Sequence, residues 1–454
     1  MRDLGGIVKA YDIRGVVPDE LDEGIARAVG GAAVEVLDVL DGPGAVVVGH
    51  DMRPSSEPLA DAFAAGVTAR GADVVHIGLA STDELYFASG SLGLPGAMFT
   101  ASHNPAQYNG IKLCRAGAAP VGQDTGLADI RRLAEVGSFA VALHMGTVEH
   151  RDVLADYAAY LRGLVDLTGN RPLTVVVDAA NGMAGHTVPS VLDVEGLTVV
   201  PMYFELDGSF PNHEANPIDP ANLRDLQAAV REHGADLGLA FDGDADRCFV
   251  VDERGQAVSP STLTALIAVR ELARAPGEPV VHNLITSRSV PEIVRENGGK
   301  PIRTRVGHSF IKQTMAETGA VFGGEHSGHF YFRDFWRADS GMLAGLHTLA
   351  ALGGEPAGTS LSSMLASYER YVSSGEINTT VADQTATMSA VEAAFDRRAG
   401  VALDHLDGLT VEHRDWWFNL RASNTEPLLR LNAEAADRAT MEAVRDEVLG
   451  LVTG

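Results

Sequence analysis

The chain has 454 residues, enough for about three domains of ordinary size. Its 35 basic and 61 acidic residues give a formal charge of −26, which disfavours nucleic acid and an anionic membrane surface as partners but leaves a small anionic substrate possible in a locally basic pocket. Two cysteines are too few for a disulfide framework or a structural zinc site, and with no visible signal peptide or long apolar run we expect a cytoplasmic protein.

Short β-branched runs alternate with turns and helical patterns along the chain, which predicts βα units. Three runs resemble the first strand of such a unit: Ala45–Gly49, Leu173–Asp178 and Pro279–Leu284. Each unit also contains a later run that leads into a polar loop: Gly96–Thr100, Leu237–Phe241 and Ala320–Gly323. Because ligands bind at the carboxyl ends of strands in open α/β sheets, we expect the three loops to face one central cleft.

The C-terminal part differs from these three units, since the segment from about Gly375 has the pattern of a smaller α+β domain. The fold class expected is therefore α/β, with three related α/β domains that have mixed sheets and a C-terminal α+β domain. We place the domains at residues 1–148, 149–253, 254–368 and 369–454.

The segment Asp242–Arg247 places three carboxylates at alternating positions directly after an apolar run. On a tight turn Asp242, Asp244 and Asp246 can converge on one hard cation, and Mg²⁺ prefers such oxygen ligands. Two alternatives stay open, a plain acidic turn and an EF-hand loop with Glu253 at its twelfth position. The EF-hand fits poorly, because Arg247 occupies the position that needs glycine and a strand precedes the loop.

The segment Thr100–Pro105 places Ser102 between small residues and His103 on a strand-to-loop turn, which makes Ser102 a candidate nucleophile. The hydrolase pattern GxSxG is absent here. A capping turn with Ser102 or Asn104 as the N-cap is the alternative. Lys112 follows closely enough in sequence to reach the same cleft.

Two later loops suit recognition of a substrate. In Gly324–His329, Glu325 and Ser327 can bind sugar hydroxyls, while His326 and His329 have an ordinary structural role as their alternative. In the other loop, a guanidinium, two hydroxyls, an amide and backbone N–H groups suit a phosphate, with a polar β-turn as the alternative. The side chains of this second loop are Arg421, Ser423, Asn424 and Thr425.

Taken in order, the segments KAYDIRG, TASHNP, YNGIK, DGDADR, GHSFIK, GEHSGH and RASNTEP resemble the α-D-phosphohexomutase superfamily, and within it the bacterial phosphomannomutase/phosphoglucomutase branch. The resemblance spans essentially the whole chain. It implies three related α/β domains and a C-terminal domain similar to the TATA-binding protein, all around a central cleft.

The resemblance also implies roles for individual residues. A Mg²⁺ site is implied at the phosphorylated Ser102 together with Asp242, Asp244 and Asp246. The residues implied at the transfer site are His103, Lys112 and Arg247, with His308 and His329 as alternative proton-transfer groups. The residues implied in substrate binding are Tyr11, Arg14, Glu325, Ser327, Arg421, Ser423, Asn424 and Thr425.

The activity implied is interconversion of hexose 1-phosphate and hexose 6-phosphate, with mannose and also glucose as the sugar. It uses phosphoserine and a hexose 1,6-bisphosphate that serves as intermediate and activator. The partner is a small phosphosugar, and the assembly a monomer or homodimer. Alternatives are a phosphoglucosamine mutase, a phosphatase and a non-catalytic sugar-phosphate or Ca²⁺ sensor. Some relatives carry Met at the position of His326 and Lys in the strand that contains Asn283, and Arg288 is a candidate replacement for that Lys.

Overall fold

The computed structural model describes residues 3–137, 139–140, 142–423 and 428–454, without the side chain of His308. The chain forms two compact units. The first consists of Met1–Pro260 and Ser327–Met364, and the second of Ser261–His326 and Leu365–Gly454. The first unit is therefore built from two separated stretches of sequence.

A mixed sheet opens the first unit. Its strands are β1 (Ile13–Val16), β2 (Ala45–His50), β3 (Asp73–Leu79), β4 (Gly96–Phe99), β5 (Tyr108–Arg115), β6 (Ala119–Pro120) and β7 (Val148–His150). Their order is β1-β5-β4-β2-β3-β7, with β6 beside β5. The central β2 is parallel to β3 and β4, whereas β5 is antiparallel to β4 and β1.

The second sheet of this unit repeats the same arrangement. Its strands are β8 (Leu173–Asp178), β9 (Leu197–Met202), β10 (Leu237–Phe241), β11 (Cys248–Asp252) and β12 (Ala257–Val258). The order is β12-β11-β10-β8-β9. Here β8 is parallel to β9 and β10, and β11 is antiparallel to β10.

The second unit contains the third copy and the C-terminal sheet. The strands of the third copy are β13 (Pro279–Asn283), β14 (Lys300–Thr304) and β15 (Phe322–Gly324), with β13 parallel to both others. The chain then forms β16 (Phe330–Phe332) in the first unit. The C-terminal strands are β17 (Val372–Thr380), β18 (Ala402–Asp404), β19 (Leu409–Glu412), β20 (Trp416–Ala422) and β21 (Leu428–Ala435). They pair antiparallel in the order β17-β21-β20-β19-β18.

Helices connect the strands. They are α1 (Glu23–Val36), α2 (Ser56–Ala69), α3 (Thr82–Leu92), α4 (Leu127–Val136), α5 (Leu154–Leu164), α6 (Ala184–Val191), α7 (Arg224–His233), α8 (Pro260–Arg274), α9 (Ser289–Glu296), α10 (His308–Thr318), α11 (Gly341–Gly353), α12 (Leu361–Leu365), α13 (Gln384–Phe395) and α14 (Arg438–Thr453). Short 3-10 turns lie at Ala116–Ala118, Gln123–Thr125, Pro220–Leu223 and Arg333–Phe335. None of the helices formed by the described residues combines the length and apolar character needed to cross a membrane.

Two helix starts bear on the site described below. Helix α3 begins after Ser81, whose hydroxyl accepts a hydrogen bond from Glu84 N, while the Glu84 side chain accepts one from Ser81 N. This capping box satisfies N–H groups that the first helical turn leaves without partners. Helix α11 begins after Ser340, whose hydroxyl accepts from Leu343 N. Helix α11 is buried along nearly its whole length, and a Cβ at Gly345 would lie 3.2 Å from Leu239 of β10.

The predicted repeat is confirmed strand by strand. The three runs predicted as first strands form β2, β8 and β13, and the three later runs form β4, β10 and β15. In each copy the two strands are direct parallel neighbours. The antiparallel C-terminal sheet with helices α13 and α14 confirms the α+β expectation. The four predicted domain ranges stay predictions.

Candidate functional site

Two loops of the first unit follow equivalent strands. The serine loop (residues 100–107) follows β4, and the aspartate loop (residues 242–247) follows β10. Ser102 lies in the left-handed region at φ 50, where its backbone N–H donates to Thr100 Oγ1 at 2.9 Å. Such a conformation is unfavourable for a non-glycine residue, so its surroundings must hold it in place.

The two loops touch directly. Ser102 Oγ donates to Asp242 Oδ2 at 2.8 Å, and a Cβ at Gly243 would lie 2.4 Å from the carbonyl oxygen of Ser102. Thr82, at the start of α3, adds a third element. Its N–H donates to the Asp244 carbonyl at 3.0 Å, and its hydroxyl donates to Asp244 Oδ2 at 2.6 Å. The predicted meeting of Ser102 with the aspartates is therefore present in this structure.

The three aspartates of the loop converge, and each contributes a carboxylate oxygen to a group whose atoms lie within 4.8 Å of one another. Lys112 Nζ donates to Asp244 Oδ2 at 2.6 Å and to Asp246 Oδ2 at 2.7 Å. Burial pushes the pKa of Asp244 up, but the Lys112 ammonium and hydrogen bonds hold it below its usual value. Burial, followed by the negative charge of Asp244, raises the pKa of Asp246. Burial lowers the pKa of Lys112, but Asp244 and Asp246 outweigh it and raise that pKa well above its usual value.

The remaining oxygens of this cluster fit a cation. Asp244 Oδ1 and Asp246 Oδ1 are buried and have no hydrogen-bond partner among the described residues. A buried carboxylate oxygen without a donor is costly, and a hard divalent cation removes that cost. The EF-hand alternative is wrong, because strands β10 and β11 flank the loop and Glu253 accepts hydrogen bonds from Ser362 instead.

Arg247 closes the aspartate loop. Its backbone N–H donates to Asp242 Oδ1 at 3.1 Å, and its Nε donates to Asp242 Oδ2 at 2.8 Å. Burial lowers the pKa of Arg247, but the nearby aspartates outweigh it and raise it. Arg247 Nη2 is buried without a partner among the described residues. A guanidinium N–H in that state suits an anionic oxygen.

Two predicted residues, His103 and Arg14, lie on or beside the serine loop. His103 Nδ1 is 3.2 Å from Ser102 Oγ, and the charge of Arg247 together with burial lowers its pKa well below the usual range. The His103 imidazole is therefore neutral near pH 7. Arg14 Nη1 donates to Asn104 Oδ1 at 2.6 Å. Tyr11 lies before β1 with 38% of its surface exposed.

Of the two histidines predicted for proton transfer, His329 lies beside the aspartate loop. Its backbone forms an isolated bridge with Arg247, and its Nδ1 lies 3.8 Å from Asp246 Oδ1 and 2.9 Å from Asp339 Oδ2. Burial lowers its pKa, but Asp246 and Asp339 outweigh burial, so the net shift is upward. The side chain of His308 lies outside the described residues.

The two residues predicted to bind sugar hydroxyls, Glu325 and Ser327, belong to different units. Glu325 is buried in the second unit, where its Oε1 accepts from Asn283 Nδ2 at 3.2 Å and from Gly307 N at 3.2 Å. Ser327 is half-buried in the first unit. Asn283 of β13 therefore orients Glu325.

The predicted phosphate loop is described up to Ser423, and Asn424 and Thr425 lie outside the described residues. Arg421 of β20 stands opposite Arg430 of β21, and burial lowers the pKa of Arg421. Ser423 is buried, and its N–H donates to the carbonyl of Leu428 at 2.9 Å.

Arg288 does not replace the missing Lys, because its side chain is committed within the C-terminal part of the second unit. Its guanidinium donates to the carbonyls of His413 and Arg414, each at 2.9 Å. Its backbone N–H donates to Glu434 Oε1 at 3.0 Å. The suggestion that Arg288 substitutes for the Lys of relatives is therefore not supported by these contacts.

Three residues of the site escaped the sequence interpretation: Arg53, Thr82 and Asp339. Arg53 and Thr82 follow the carboxyl ends of β2 and β3, and this position was the signal that could have found them. Asp339 carried no such signal. It lies between β16 and α11 and reaches His329 through the return of the chain to the first unit.

Similarity to known proteins extends along the whole chain. Four family models match the chain: phosphoglucomutase/phosphomannomutase α/β/α domain I over residues 5–140, domain II over 155–255, domain III over 259–371, and the C-terminal domain over 376–451. A phosphomannomutase of Escherichia coli is 42% identical, with 98% of both chains covered. A protein of Xanthomonas campestris pv. campestris named "Phosphohexose mutases" is 42% identical, with 98% of this chain and 99% of that one covered.

A crystal structure of a phosphoglucomutase/phosphomannomutase family protein from Burkholderia thailandensis matches with a TM-score of 0.88. It is 34% identical and covers 98% of this chain and 96% of its own. Matches of this identity and length, found over the whole chain, establish membership. The chain belongs to the phosphoglucomutase/phosphomannomutase family of the α-D-phosphohexomutase superfamily.

Proposed function

We propose that this chain is a phosphomannomutase that also accepts glucose phosphates. It interconverts hexose 1-phosphate and hexose 6-phosphate through phosphorylated Ser102 and a hexose 1,6-bisphosphate. The observation that carries the proposal is the 2.8 Å contact between Ser102 Oγ and Asp242, inside a cluster of three carboxylates. The relatives named phosphomannomutase support the choice of mannose.

Mg²⁺ is the cation proposed for this cluster. The residues that would hold it are Asp242, Asp244, Asp246 and, once phosphorylated, Ser102. When bound, Mg²⁺ neutralises charge on the phosphoryl oxygens. Phosphoserine adds about −1.5 to −2 charges at neutral pH, so without such compensation three neighbouring carboxylates would repel it.

The side chains around the cluster have separate tasks. Arg247 has Nη2 available for an oxygen of the transferring group, and Asp242 keeps its Nε in place. Lys112 bridges Asp244 and Asp246 and offsets part of their negative charge with its ammonium. In the proposed step the P–O bond to Ser102 breaks, its electron pair stays on Ser102 Oγ, and a bond forms between phosphorus and the sugar oxygen.

A base must accept the proton of the attacking sugar hydroxyl, and we assign this task to His329. Asp339 holds its Nδ1 and so fixes the orientation of the ring. In the second transfer, the other phosphate of the bisphosphate is transferred to Ser102. The proton then goes to the sugar oxygen that this phosphate leaves. His308 is the alternative base, proposed only from the resemblance.

The substrate-binding roles are proposed from the resemblance and from side-chain chemistry. Glu325 and Ser327 would bind sugar hydroxyls. The residues proposed to hold the phosphate that is not being transferred are Arg421, Ser423, Asn424 and Thr425. Tyr11, Arg14 and His103 would border the transfer site, where Arg14 already contacts the serine loop.

Phosphorus NMR tests the function directly. With Mg²⁺ and a trace of hexose 1,6-bisphosphate, the protein should convert mannose 1-phosphate and glucose 1-phosphate to the 6-phosphates, and glucosamine 1-phosphate far more slowly. Ser102→Ala should abolish turnover, because no phosphoryl acceptor remains on the protein. Ser91→Ala, at an exposed position of α3, is the control and should leave the rate unchanged.

Other outcomes would contradict the proposal. Full turnover by Ser102→Ala excludes the phosphoserine route. Free phosphate without isomerised product indicates a phosphatase. Preference for glucosamine 1-phosphate indicates a phosphoglucosamine mutase, and tight Ca²⁺ binding without turnover indicates a sensor.

A further inference from the structure

Arg53 is a fully buried arginine beneath the serine loop. Its Nη1 donates to the carbonyls of Pro105 at 2.9 Å and Tyr108 at 3.0 Å. Its Nη2 donates to the carbonyls of Ser102 at 3.0 Å and Asn104 at 2.7 Å. One guanidinium therefore joins four carbonyl groups of the segment that carries the reactive serine.

The remaining contacts of Arg53 fix the guanidinium itself. Its Nε lies 3.2 Å from Asp51 Oδ2, and Asp51 also accepts from Ser56 Oγ. The ring of Phe210, from a loop after β9, lies over the guanidinium at 5.0 Å. With these contacts all five N–H groups of the arginine have an acceptor, a state that burial demands.

The geometry of the serine loop explains why the hydrogen bonds from Arg53 matter for the reaction. Ser102 has a left-handed backbone, and its carbonyl lies within 2.4 Å of the ideal Cβ position of Gly243. In-line phosphoryl transfer depends on the position of the reacting oxygen. Arg53 pulls the Ser102 carbonyl from one side, while Asp242 receives the hydroxyl from the other.

We propose that Arg53 is a positioning residue for phosphoryl transfer, a role that rests on the proposed function. It fixes the serine loop through the carbonyls of Ser102, Asn104 and Pro105 and the start of β5 through that of Tyr108, and so sets the position of Ser102 Oγ relative to Asp242. Lysine cannot take this role, because its ammonium has three donors around a single point and no planar fork.

The test is the substitution Arg53→Lys in the full chain, with Arg132→Lys as the control. Arg132 lies on α4 with an exposed side chain, and its replacement should leave kcat and KM unchanged. For Arg53→Lys, kcat with hexose 1-phosphate should fall about 100-fold, the size expected for a displacement of about 1 Å. KM should stay within about twofold, because Arg53 is buried and all its N–H groups donate to acceptors within the protein.

A merely structural role would lower the thermal stability and the amount of active enzyme without altering the phosphoserine. We therefore measure the phosphoserine signal by phosphorus NMR and its rate of hydrolysis by water. In Arg53→Lys the signal should broaden or shift, and hydrolysis should change by several-fold. A folded Arg53→Lys protein with kcat within twofold of wild type and an unchanged signal overturns the inference.

A second variant covers the case in which Arg53→Lys does not fold. Phe210→Leu keeps the guanidinium and removes only the ring above it, so kcat should fall about fivefold to tenfold with an unchanged KM. An unchanged kcat in folded Phe210→Leu, together with an unfolded Arg53→Lys, overturns the inference. Absence of mutase turnover in the wild type, by contrast, defeats the proposed function itself.

Discussion

Gly243 is the point at which the aspartate loop passes the backbone of Ser102. In the variant Gly243→Ala the new Cβ would lie 2.4 Å from the Ser102 carbonyl oxygen. An ordinary carbon–oxygen contact needs about 3.3 Å, so one of the two loops must move by about 0.9 Å. Arg53 Nη2 holds the Ser102 carbonyl at 3.0 Å, and we expect the aspartate loop to move instead.

This movement separates Asp242 from Ser102 Oγ, which are 2.8 Å apart in the wild type. A displacement of about 1 Å at a reacting group costs about 100-fold in rate, which corresponds to about 2.7 kcal/mol of barrier. Separately, the extra methyl group overpacks the site and should lower the free energy of unfolding by about 1–3 kcal/mol. The variant should therefore fold, melt at a lower temperature and turn over about 100-fold more slowly.

The assay compares kcat for hexose 1-phosphate with thermal unfolding of the same preparation. Gly163→Ala is the matched control, because Gly163 lies in α5 and nothing stands within 4 Å of its ideal Cβ position. There alanine should raise the free energy of unfolding by about 0.5–1 kcal/mol without a change in rate. If Gly243→Ala kept the wild-type kcat, the loops would not depend on each other in the way described.

Two further predictions concern buried charges. Burial, followed by the charge of Asp83, raises the pKa of Glu84 to about 8, so the folded protein keeps a proton that the unfolded chain releases above the ordinary glutamate pKa of 4.5. The free energy of unfolding should therefore fall as pH rises from about 4.5 to 8, by up to about 1.4 kcal/mol per pH unit, and Glu84→Gln should lose this part of the slope in denaturant titrations; equal slopes in both proteins would contradict the pKa. In Lys112→Met, Asp244 and Asp246 lose the ammonium that contacts both of them. After treatment of both proteins with a metal chelator, the free energy of unfolding of the variant should therefore be about 3–5 kcal/mol lower than that of the wild type. The chelator-treated wild type should lose turnover but stay folded. Added Mg²⁺ should raise the melting temperature more in Lys112→Met than in wild type, and an equal rise would argue against a shared site.

The fold and the meeting of Ser102 with the three aspartates could be predicted from sequence, because both leave local patterns. Parallel strands buried on both faces appear as short β-branched runs, and the loops after them appear as polar segments. Asp242, Asp244 and Asp246 directly follow the buried apolar strand Leu237–Phe241, and Ser102 follows the buried strand Gly96–Phe99, although neither strand is β-branched. Their distance in sequence was no obstacle, because each repeat places its loop at the same end of a sheet.

The supporting residues could not be predicted in the same way. Arg53 and Asp339 are common charged residues, and their supporting role depends on their burial and on hydrogen-bond partners distant in sequence. Their partners are set by packing between loops, which single-sequence patterns do not contain. The boundaries of the compact units could not be predicted from sequence either. Ser327–Met364 belongs to the same unit as the N-terminal part, although the residues that form another sheet lie between them in the sequence.

Helix α11 shows what the packing of residues 327–364 in the first unit means for truncated forms of the protein. It is buried along nearly its whole length, and Gly345 and Gly341 approach Leu239 and the backbone of Arg247. The hydroxyl of Ser340, the residue before this helix, donates to Asp83 in the first turn of α3. A fragment that stops at Pro260 would keep Asp242, Asp244 and Asp246 yet expose the apolar surface that α11 covers. The N-terminal half of the sequence is therefore no autonomous module, and engineered truncations or fusions must retain residues 327–364.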